Sequence, residues 1–221
     1  AKEENFATTH YGPQAVNVIS VLEGIREKAG KRTEIFYSKG CELVDENWPE
    51  SEILPQPLNE EEQKKIDKAV KNAKKSDIAI VVLGGGTRTC GENKSRTSLN
   101  LPGRQLDLLK AVHATGTPTV VVLINGRPLS INWADKHIPA ILEAWYPGSF
   151  GGQAIADVLF GDYNPGGKLT TTFPRTAGQI RMNFPAKPNS QVDNNWTTAR
   201  VNGVIYPFGY GLSYTSFQYS D

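Results

Sequence analysis

Two short runs of almost uninterrupted apolar residues constrain the fold of this chain more than any other feature. Residues 77–83 read Asp-Ile-Ala-Ile-Val-Val-Leu, and residues 119–124 read Thr-Val-Val-Val-Leu-Ile. A strand that is apolar on both faces is typical of a parallel sheet covered by helices on both sides. Each run ends in a turn signal, Gly84-Gly85-Gly86 in the first case and Asn125-Gly126 in the second. The two runs therefore predict buried strands of an α/β protein.

The rest of the chain up to residue 161 alternates between helical and strand patterns. The predicted helices are residues 14–29, 59–75, 103–115, 131–136 and 151–160, and the further predicted strands are residues 33–37 and 140–145. Asn59 is the expected N-cap of the second helix, because its side chain can accept a hydrogen bond from a free backbone amide. Strand and helix alternating in this way predict a doubly wound, mostly parallel sheet with helices on both faces, that is, an α/β sandwich.

The length of 221 residues is enough to bury a sizeable core in one domain. We expect residues 1–221 to form a single α/β sandwich domain, in which residues 162–221 are an irregular C-terminal extension punctuated by proline and glycine. The opening residues, Ala-Lys-Glu-Glu-Asn, show no signal peptide and favour a fragment of a larger polypeptide.

Charge and cysteine content exclude several classes of function. The 24 basic and 23 acidic residues leave a net charge of +1, whereas nucleic-acid binding needs a clustered cationic surplus. No run of residues approaches a membrane span. The three histidines lack the spacing of a metal site. Cys41 and Cys90 are too few for a disulfide scaffold, and free thiols are favoured over a bridge between them.

The long segment after the first apolar run is the first place to look for chemistry, because ligands of open α/β sheets bind beyond the carboxyl ends of the strands. Between residues 84 and 101 there is a single carboxylate, Glu92, with Gly91 before it. For an arbitrary protein, Glu92 would be a solvent-exposed loop acid. A dinucleotide fingerprint has the pattern G-x-G-x-x-G and opens directly onto a helix. Residues 84–89 have Thr89 in place of the last glycine, and no predicted helix follows directly. We therefore expect no nucleotide and no other cofactor.

An ordered set of motifs then resembles the C-terminal domain of glycoside hydrolase family 3. It begins with the strand followed by three glycines, continues with Gly91-Glu92 and Arg96, and is completed by the following segments: Leu99-Asn100-Leu101-Pro102-Gly103-Arg104-Gln105, Asn125-Gly126-Arg127-Pro128, Ala144-Trp145-Tyr146-Pro147-Gly148, residues 151–161, residues 162–169 and residues 206–214. The resemblance covers nearly the whole chain. Each motif alone is a weak signal, and their common order carries the identification.

The resemblance implies a specific role in catalysis. Family members are mostly retaining exo-acting β-glucosidases and β-xylosidases, in which an N-terminal (β/α)8-type barrel carries the aspartate nucleophile. Their α/β sandwich domain supplies the glutamate acid/base, which maps onto Glu92. Many relatives add a fibronectin type III-like domain after the last motif. We therefore expect a domain that is inactive in isolation and acts on a carbohydrate with its barrel, and a periplasmic or extracellular location.

Several other side chains are candidates for contacts to the substrate or the loop. Arg88 and Lys94 are placed to reach sugar hydroxyl groups, and Trp196 is a candidate rim residue for the aglycone subsite. Arg96 is expected to anchor the loop. Structural roles are expected for Trp48, Trp133, Trp145 and Glu143. The alternative to the catalytic hypothesis is a non-catalytic carbohydrate-binding or structural module of the same fold.

One departure from the family pattern concerns the sheet. Relatives usually begin this domain with an apolar strand that ends in Gly-Pro, and no such strand precedes Gln14. Two explanations stay open: the chain starts inside the domain, or the strand belongs to a separate fragment. A doubly wound sheet without an inner strand would leave apolar faces and ladder groups exposed.

Overall fold

The computed structural model describes residues 17–179, 203–216 and 218. The candidate Trp196 lies outside these residues. The elements in chain order are α1 (Val21–Ala29), α2 (Glu60–Ala73), β1 (Ala79–Gly84), α3 (Gln105–His113), β2 (Thr119–Ile124), α4 (Asn132–His137), β3 (Ala140–Glu143) and α5 (Gly151–Leu159), with short 3₁₀ turns at Glu50–Glu52 and Ala177–Gln179.

The three strands form a parallel sheet in the order β1-β2-β3. Val121 and Val122 of the central strand are fully buried, one toward each face. Helices α2 and α3 cover the face of Val121, and α1 and α5 cover the face of Val122. The predicted doubly wound α/β sandwich is thus confirmed, and the apolar character of β2 follows from its burial on both sides.

Local sequence fixes where the first two helices begin. Ser20 caps α1 and Asn59 caps α2, each accepting a hydrogen bond from the amide three residues later. In both helices a glutamate at that third position, Glu23 or Glu62, accepts a hydrogen bond from the cap's own amide. This reciprocal capping box satisfies backbone groups that the helix leaves open. The prediction of Asn59 as N-cap is confirmed.

The predicted strand at residues 33–37 is wrong. Residues 33–40 form neither a helix nor a strand, and they pair with no strand among the residues that the structure describes. A cleft of about 910 Å³ is lined by this segment on one side and by β1 on the other. The local pattern favours a strand, but a strand also needs a hydrogen-bonding neighbour.

Helices α1 and α5 approach each other closely through two glycines. A Cβ atom on Gly24 would lie 2.2 Å from the carbonyl oxygen of Gly152, and one on Gly152 would lie 2.1 Å from that of Ser20. The amide of Ile19 donates to Ser149 O at 2.8 Å in the same region. This contact places the start of α1 beside the segment that follows β3, at the carboxyl edge of the sheet.

Two segments of the chain beyond α5 are joined by an isolated antiparallel bridge between Phe173 and Tyr206. Phe173 is 1% exposed and its ring packs 5.8 Å from that of Trp145. The structural role expected for Trp145 is therefore confirmed. β3 ends at Glu143, two residues earlier than predicted, because Trp145 turns the backbone with φ 51°.

Candidate active site

The segment between β1 and α3, which we call the Glu92 loop (residues 85–101), leaves the carboxyl edge of the sheet. Its first turn depends on Gly84, whose φ of 137° is open to glycine alone. A Cβ atom there would lie 2.0 Å from Ile124 O of the neighbouring strand. The loop thus starts from a point that is packed tightly against β2.

The loop is first held by a small hydrogen-bonded turn. The buried hydroxyl of Thr89 accepts from Gly86 N at 2.8 Å and donates to Gly86 O at 3.1 Å. The amide of Cys90 also donates to Gly86 O, at 2.8 Å. These bonds satisfy the backbone where the chain is buried, so the residues before Gly91 form a fixed support.

The far side of the loop is anchored by a buried ion pair. The guanidinium of Arg96 contacts the carboxylate of Glu52, and the two side chains are 1% and 8% exposed. Arg96 also donates to Asn100 O at 2.8 Å, and Thr97 donates to Glu52 at 2.9 Å. The expected anchoring role of Arg96 is confirmed.

A third contact to the loop is a hydrogen bond from the segment after β2. Arg127 donates through Nη2 to Lys94 O at 2.8 Å. The loop is therefore held by side chains from distant parts of the sequence. Glu52 lies 44 residues before its partner Arg96, and Arg127 lies 33 residues after its partner Lys94.

Glu92 lies at the exposed tip between these supports. Residues 91–95 are all exposed, and Gly91 and Asn93 on either side have φ of 140° and 59°. Both neighbours adopt the left-handed region, which turns the chain sharply around Glu92. The arrangement presents one carboxyl group outward on a short, tightly turned segment.

Two cationic candidates flank this tip. Arg88 and Lys94 are exposed, as a contact to a ligand from outside the domain requires. The guanidinium of Arg88 lies 5.8 Å from the ring centroid of Trp48, which itself donates to Glu52 Oε1 at 3.1 Å. Trp48 was expected to be structural, and this contact to Glu52 agrees with that. Its position beside Arg88 also makes the ring part of the surface around the loop.

Behind the loop, the segment after β2 packs against the segment after β3. A Cβ atom on Gly126 would lie 2.5 Å from the Tyr146 ring and 2.6 Å from Cys90 Sγ. The Tyr146 hydroxyl and the Cys90 thiol are hydrogen-bonded. The pKa of Tyr146 is raised, mainly by its partial burial and to a smaller extent by this hydrogen bond. Gly126 thus lets Tyr146 lie against the residue two positions before Glu92.

Glu143 supports the same region from inside the domain. It accepts hydrogen bonds from Trp145 N at 2.9 Å and from Asn125 Nδ2 at 3.3 Å. Burial raises the pKa of Glu143 to about 7, against the lowering effect of these two bonds. The structural, hydrogen-bonded role expected for Glu143 is confirmed by its contacts.

The cysteines and histidines fit the sequence-based expectations in part. Cys41 and Cys90 are both free, and burial raises the pKa of Cys41 to about 12. His113 and His137, which look isolated in the sequence, lie with ring centroids 6.1 Å apart. His137 stacks on Trp133 at 4.4 Å. Within the described ranges, no group of three or more His, Cys, Asp or Glu side chains is arranged to hold a metal ion.

Of the helices that the structure describes, none combines the length and apolar character that crossing a bilayer requires.

Sequence reasoning found the loop and its acid but missed most of what holds them. Glu52, Arg127 and Tyr146 reach the loop from distant positions, and nothing in their local sequence marks that contact. The Asn-Gly-Arg-Pro and Trp-Tyr-Pro-Gly motifs did include Arg127 and Tyr146. Trp48 carried a weak signal, since it is an aromatic residue in a polar, proline-containing segment.

Comparison with known proteins gives a consistent assignment. The profile of the "Glycosyl hydrolase family 3 C-terminal domain" matches residues 3–214. A beta-xylosidase of Formosa agariphila is 42% identical over 206 residues, covering 91% of this chain and 26% of the relative. A periplasmic beta-glucosidase of Salmonella typhimurium is 42% identical over 220 residues, covering 92% of this chain and 28% of the relative.

Solved structures agree with the sequence relatives. A b-glucosidase of Erythrobacter marinus superposes with a TM-score of 0.78 at 37% identity, covering 98% of this chain and 31% of that one. A GH3 exo-beta-xylosidase bound to a xylobiose aziridine probe superposes with a TM-score of 0.75 at 27% identity, covering 98% and 27%. The chain therefore spans between a quarter and a third of the length of these relatives.

Proposed function

Because this chain belongs to the C-terminal domains of glycoside hydrolase family 3, we propose that it supplies the catalytic acid/base, Glu92, to a retaining exo-β-glycosidase. The substrates are β-linked glucosides, xylosides or oligosaccharides, which is the chemistry named for its relatives. The nucleophile is an aspartate of an N-terminal barrel domain in the longer polypeptide. A fibronectin type III-like domain after residue 221 and a periplasmic or extracellular location complete the proposal.

The observation that carries the proposal is the placement of Glu92. It is the one carboxylate between residues 84 and 101, and it lies at an exposed tip whose two sides are fixed by Thr89 and by Arg96 with Glu52. An acid that must reach into a site on another domain has to project from its own domain. It also has to be held, because positioning within the productive geometry decides the rate.

The chemistry needs two carboxyl groups on opposite sides of the glycosidic bond. Retaining enzymes hold them about 5 to 5.5 Å apart. As the barrel's aspartate attacks the anomeric carbon, Glu92 gives its proton to the departing oxygen. The resulting Glu92 carboxylate then takes a proton from the water that attacks the glycosyl-enzyme, which releases the sugar and restores the acid.

Since the nucleophile lies outside this domain, the 221-residue chain on its own is inactive in this proposal. Arg88 and Lys94 contact sugar hydroxyl groups from the two sides of the tip, and Trp196 lies at the rim of the aglycone subsite. The ring of Trp48 is a further stacking surface beside Arg88. A sugar's C–H face packs well on such a ring because the ring's π face is electron-rich.

The test is substitution of Glu92 in the full-length protein, assayed on aryl β-glucosides and aryl β-xylosides. Glu92→Ala should lower kcat/KM about 10²- to 10⁴-fold on substrates with poor leaving groups. It should retain more activity on substrates with activated leaving groups, and azide should restore turnover because it replaces the water that needs a base. Glu60→Ala is the matched control, since Glu60 is 94% exposed and far from the loop in the sequence.

Three outcomes separate the proposal from its alternative. Wild-type activity in Glu92→Ala would show that another group donates the proton. A full-length protein that binds the sugars without cleaving them would favour a non-catalytic carbohydrate-binding module. Activity in the 221-residue chain alone would contradict the assignment of the nucleophile to another domain.

A further inference from the structure

The carboxyl group of Glu143 lies at the carboxyl edge of the sheet, beside the side chain of Asn125. β2 and β3 run parallel with Leu123 opposite Glu143, so Asn125 follows β2 at the level where β3 ends. Asn125 is 0% exposed, and Glu143 is partly buried. Burial of a carboxyl group is costly unless the group is hydrogen-bonded, so the partners of Glu143 indicate what it does.

One oxygen of Glu143 leads to the residue two positions before Glu92. Glu143 Oε1 accepts from Trp145 N at 2.9 Å, and Trp145 has a φ of 51°, which a bulky residue seldom adopts. The bond helps to hold the backbone in this turn, from which the next residue, Tyr146, projects. The Tyr146 hydroxyl is hydrogen-bonded to Cys90, at the base of the loop's tip.

The other oxygen of Glu143 leads to the residue two positions after Glu92. Glu143 Oε2 accepts from Asn125 Nδ2 at 3.3 Å, and the same nitrogen donates its second hydrogen to Arg127 O at 2.8 Å. The second of these bonds fixes the turn after β2 in which Arg127 lies. Arg127 Nη2 in turn donates to Lys94 O at 2.8 Å.

The two paths from Glu143 also meet each other at Gly126. The Tyr146 hydroxyl is hydrogen-bonded to the backbone of Gly126, which lies between Asn125 and Arg127 in the same turn. A Cβ atom on Gly126 would lie 2.5 Å from the Tyr146 ring, so the two segments are in close contact. A shift of either segment is therefore transmitted to the other.

We propose that Glu143 is a positioning residue for Glu92, because its two carboxyl oxygens support the two segments that hold the loop at Cys90 and at Lys94. This inference rests on the proposed function and adds a second acid to it. Glu143 exchanges no proton with the substrate. It fixes where the Glu92 carboxyl group lies relative to the glycosidic oxygen, and a displacement of about 1 Å can cost on the order of 10²-fold in rate.

The dependence of the rate on the leaving group separates positioning from stability. A variant that is only less stable contains less active enzyme, which lowers kcat/KM on every substrate by the same factor. A displaced acid slows hydrolysis most where the departing oxygen needs a proton. The ratio of kcat/KM on an aryl glycoside with an activated leaving group to kcat/KM on one with a poor leaving group therefore reports the placement of Glu92.

The test is Glu143→Gln in the full-length protein, with both substrates assayed at one pH. Glutamine has nearly the same size but one side-chain oxygen, so it keeps an acceptor for Trp145 N or for Asn125 Nδ2 and loses the other. We expect the ratio of kcat/KM values to rise by about 10-fold or more. Thr119→Val is the matched control, since it removes a buried hydroxyl that donates to Thr117 O at 2.8 Å at the opposite end of β2, and it should leave the ratio unchanged.

Two further substitutions test the same paths without removing Glu143. Arg127→Met removes the guanidinium that bonds Lys94 O, and Tyr146→Phe removes the hydroxyl that bonds Cys90. Each should raise the ratio, and each should raise it less in a Glu143→Gln background than alone, because the path is already loosened. An unchanged ratio in Glu143→Gln, or fully multiplicative effects in the double variants, would overturn the proposal. If Glu143→Gln does not fold, an unchanged ratio in either single variant overturns it.

Failure of this inference can be told apart from failure of the proposed function. Glu92→Ala with the expected leaving-group dependence and azide rescue, together with a Glu143→Gln variant that lowers both rates equally, would leave Glu92 as the acid/base and remove Glu143 as its positioning residue. Wild-type activity in Glu92→Ala would overturn the proposed function and this inference with it.

Discussion

The buried ion pair between Arg96 and Glu52 sets a clear energetic test of how the Glu92 loop is held. Arg96→Met removes the charge and keeps an apolar stem of similar length. Glu52 then stays at 8% exposure with hydrogen bonds from Thr97 and Trp48 but without its cation. Removal of one partner of a buried pair typically costs about 3 to 5 kcal/mol. We expect the lower end, about 3 kcal/mol, because two hydrogen bonds to Glu52 remain.

The assay is thermal and urea unfolding of the full-length protein, with tryptophan fluorescence as the signal. For a domain of this size, about 3 kcal/mol corresponds to a fall in Tm of about 6 to 12 °C. The exposed pair between Lys64 and Glu60, with side chains 77% and 94% exposed, is the control. Lys64→Met should change the free energy of unfolding by less than about 0.5 kcal/mol.

A double variant separates the pair from its surroundings. Arg96→Met with Glu52→Met leaves no buried charge, so its cost should be smaller than the sum of the two single substitutions. The hydrolytic activity of Arg96→Met should fall as well, with Glu92 chemically intact, because the loop loses one of its supports. If Arg96→Met were no more destabilising than Lys64→Met, the reasoning from burial would be refuted.

Three further predictions address the support behind the loop and the core. Burial raises the pKa of Glu143 to about 7 in the folded state, so the contribution of this residue to the free energy of unfolding is fully present below pH 4.5 and is lost as pH rises to about 7. Glu143→Gln should remove this pH-dependent loss, which is on the order of 3 kcal/mol, in urea titrations between pH 4.5 and 8. An unchanged pH profile would contradict the prediction. Gly126→Ala should destabilise the protein by about 1 to 3 kcal/mol and lower kcat, since the new Cβ would lie 2.5 Å from Tyr146 and 2.6 Å from Cys90. Gly166→Ala is the control, because a Cβ there has no atom within 4 Å. Equal Tm values for the two variants would count against the packing argument. Cys41, with its pKa raised to about 12, should resist iodoacetamide at pH 8 until the protein unfolds, and mass-spectrometric labelling of the native protein at Cys41 would disprove this.

The sequence was informative where a pattern is local and repeated. Residues of β1 and β2 are apolar at consecutive positions, so their burial on two faces could be recognised without a structure. The capping boxes at Ser20 and Asn59 also lie within four residues, although only Asn59 was recognised. Glu92 could be singled out because it is the single acid in a long segment after a buried strand, but its acid/base role came from the family resemblance and stays a prediction.

What the sequence did not show depends on contacts between distant residues. Glu52 lies 44 residues from Arg96, and no periodicity links them. The strand predicted at residues 33–37 was wrong, because whether a segment pairs depends on a neighbour that local sequence does not contain. The early end of β3 follows from the positive φ of Trp145, which a bulky aromatic residue seldom adopts.

The side chain of Gln105 links the end of β1 to the segment between α1 and α2. Its amide group bonds both the N–H and the C=O of Gly84, from which the Glu92 loop departs, and also the carbonyl of Leu43 in the segment between α1 and α2. Glutamate in its place would lose both donated bonds, and asparagine would be one methylene too short. A single carboxamide therefore connects the backbone at Leu43 to the residue from which the Glu92 loop departs.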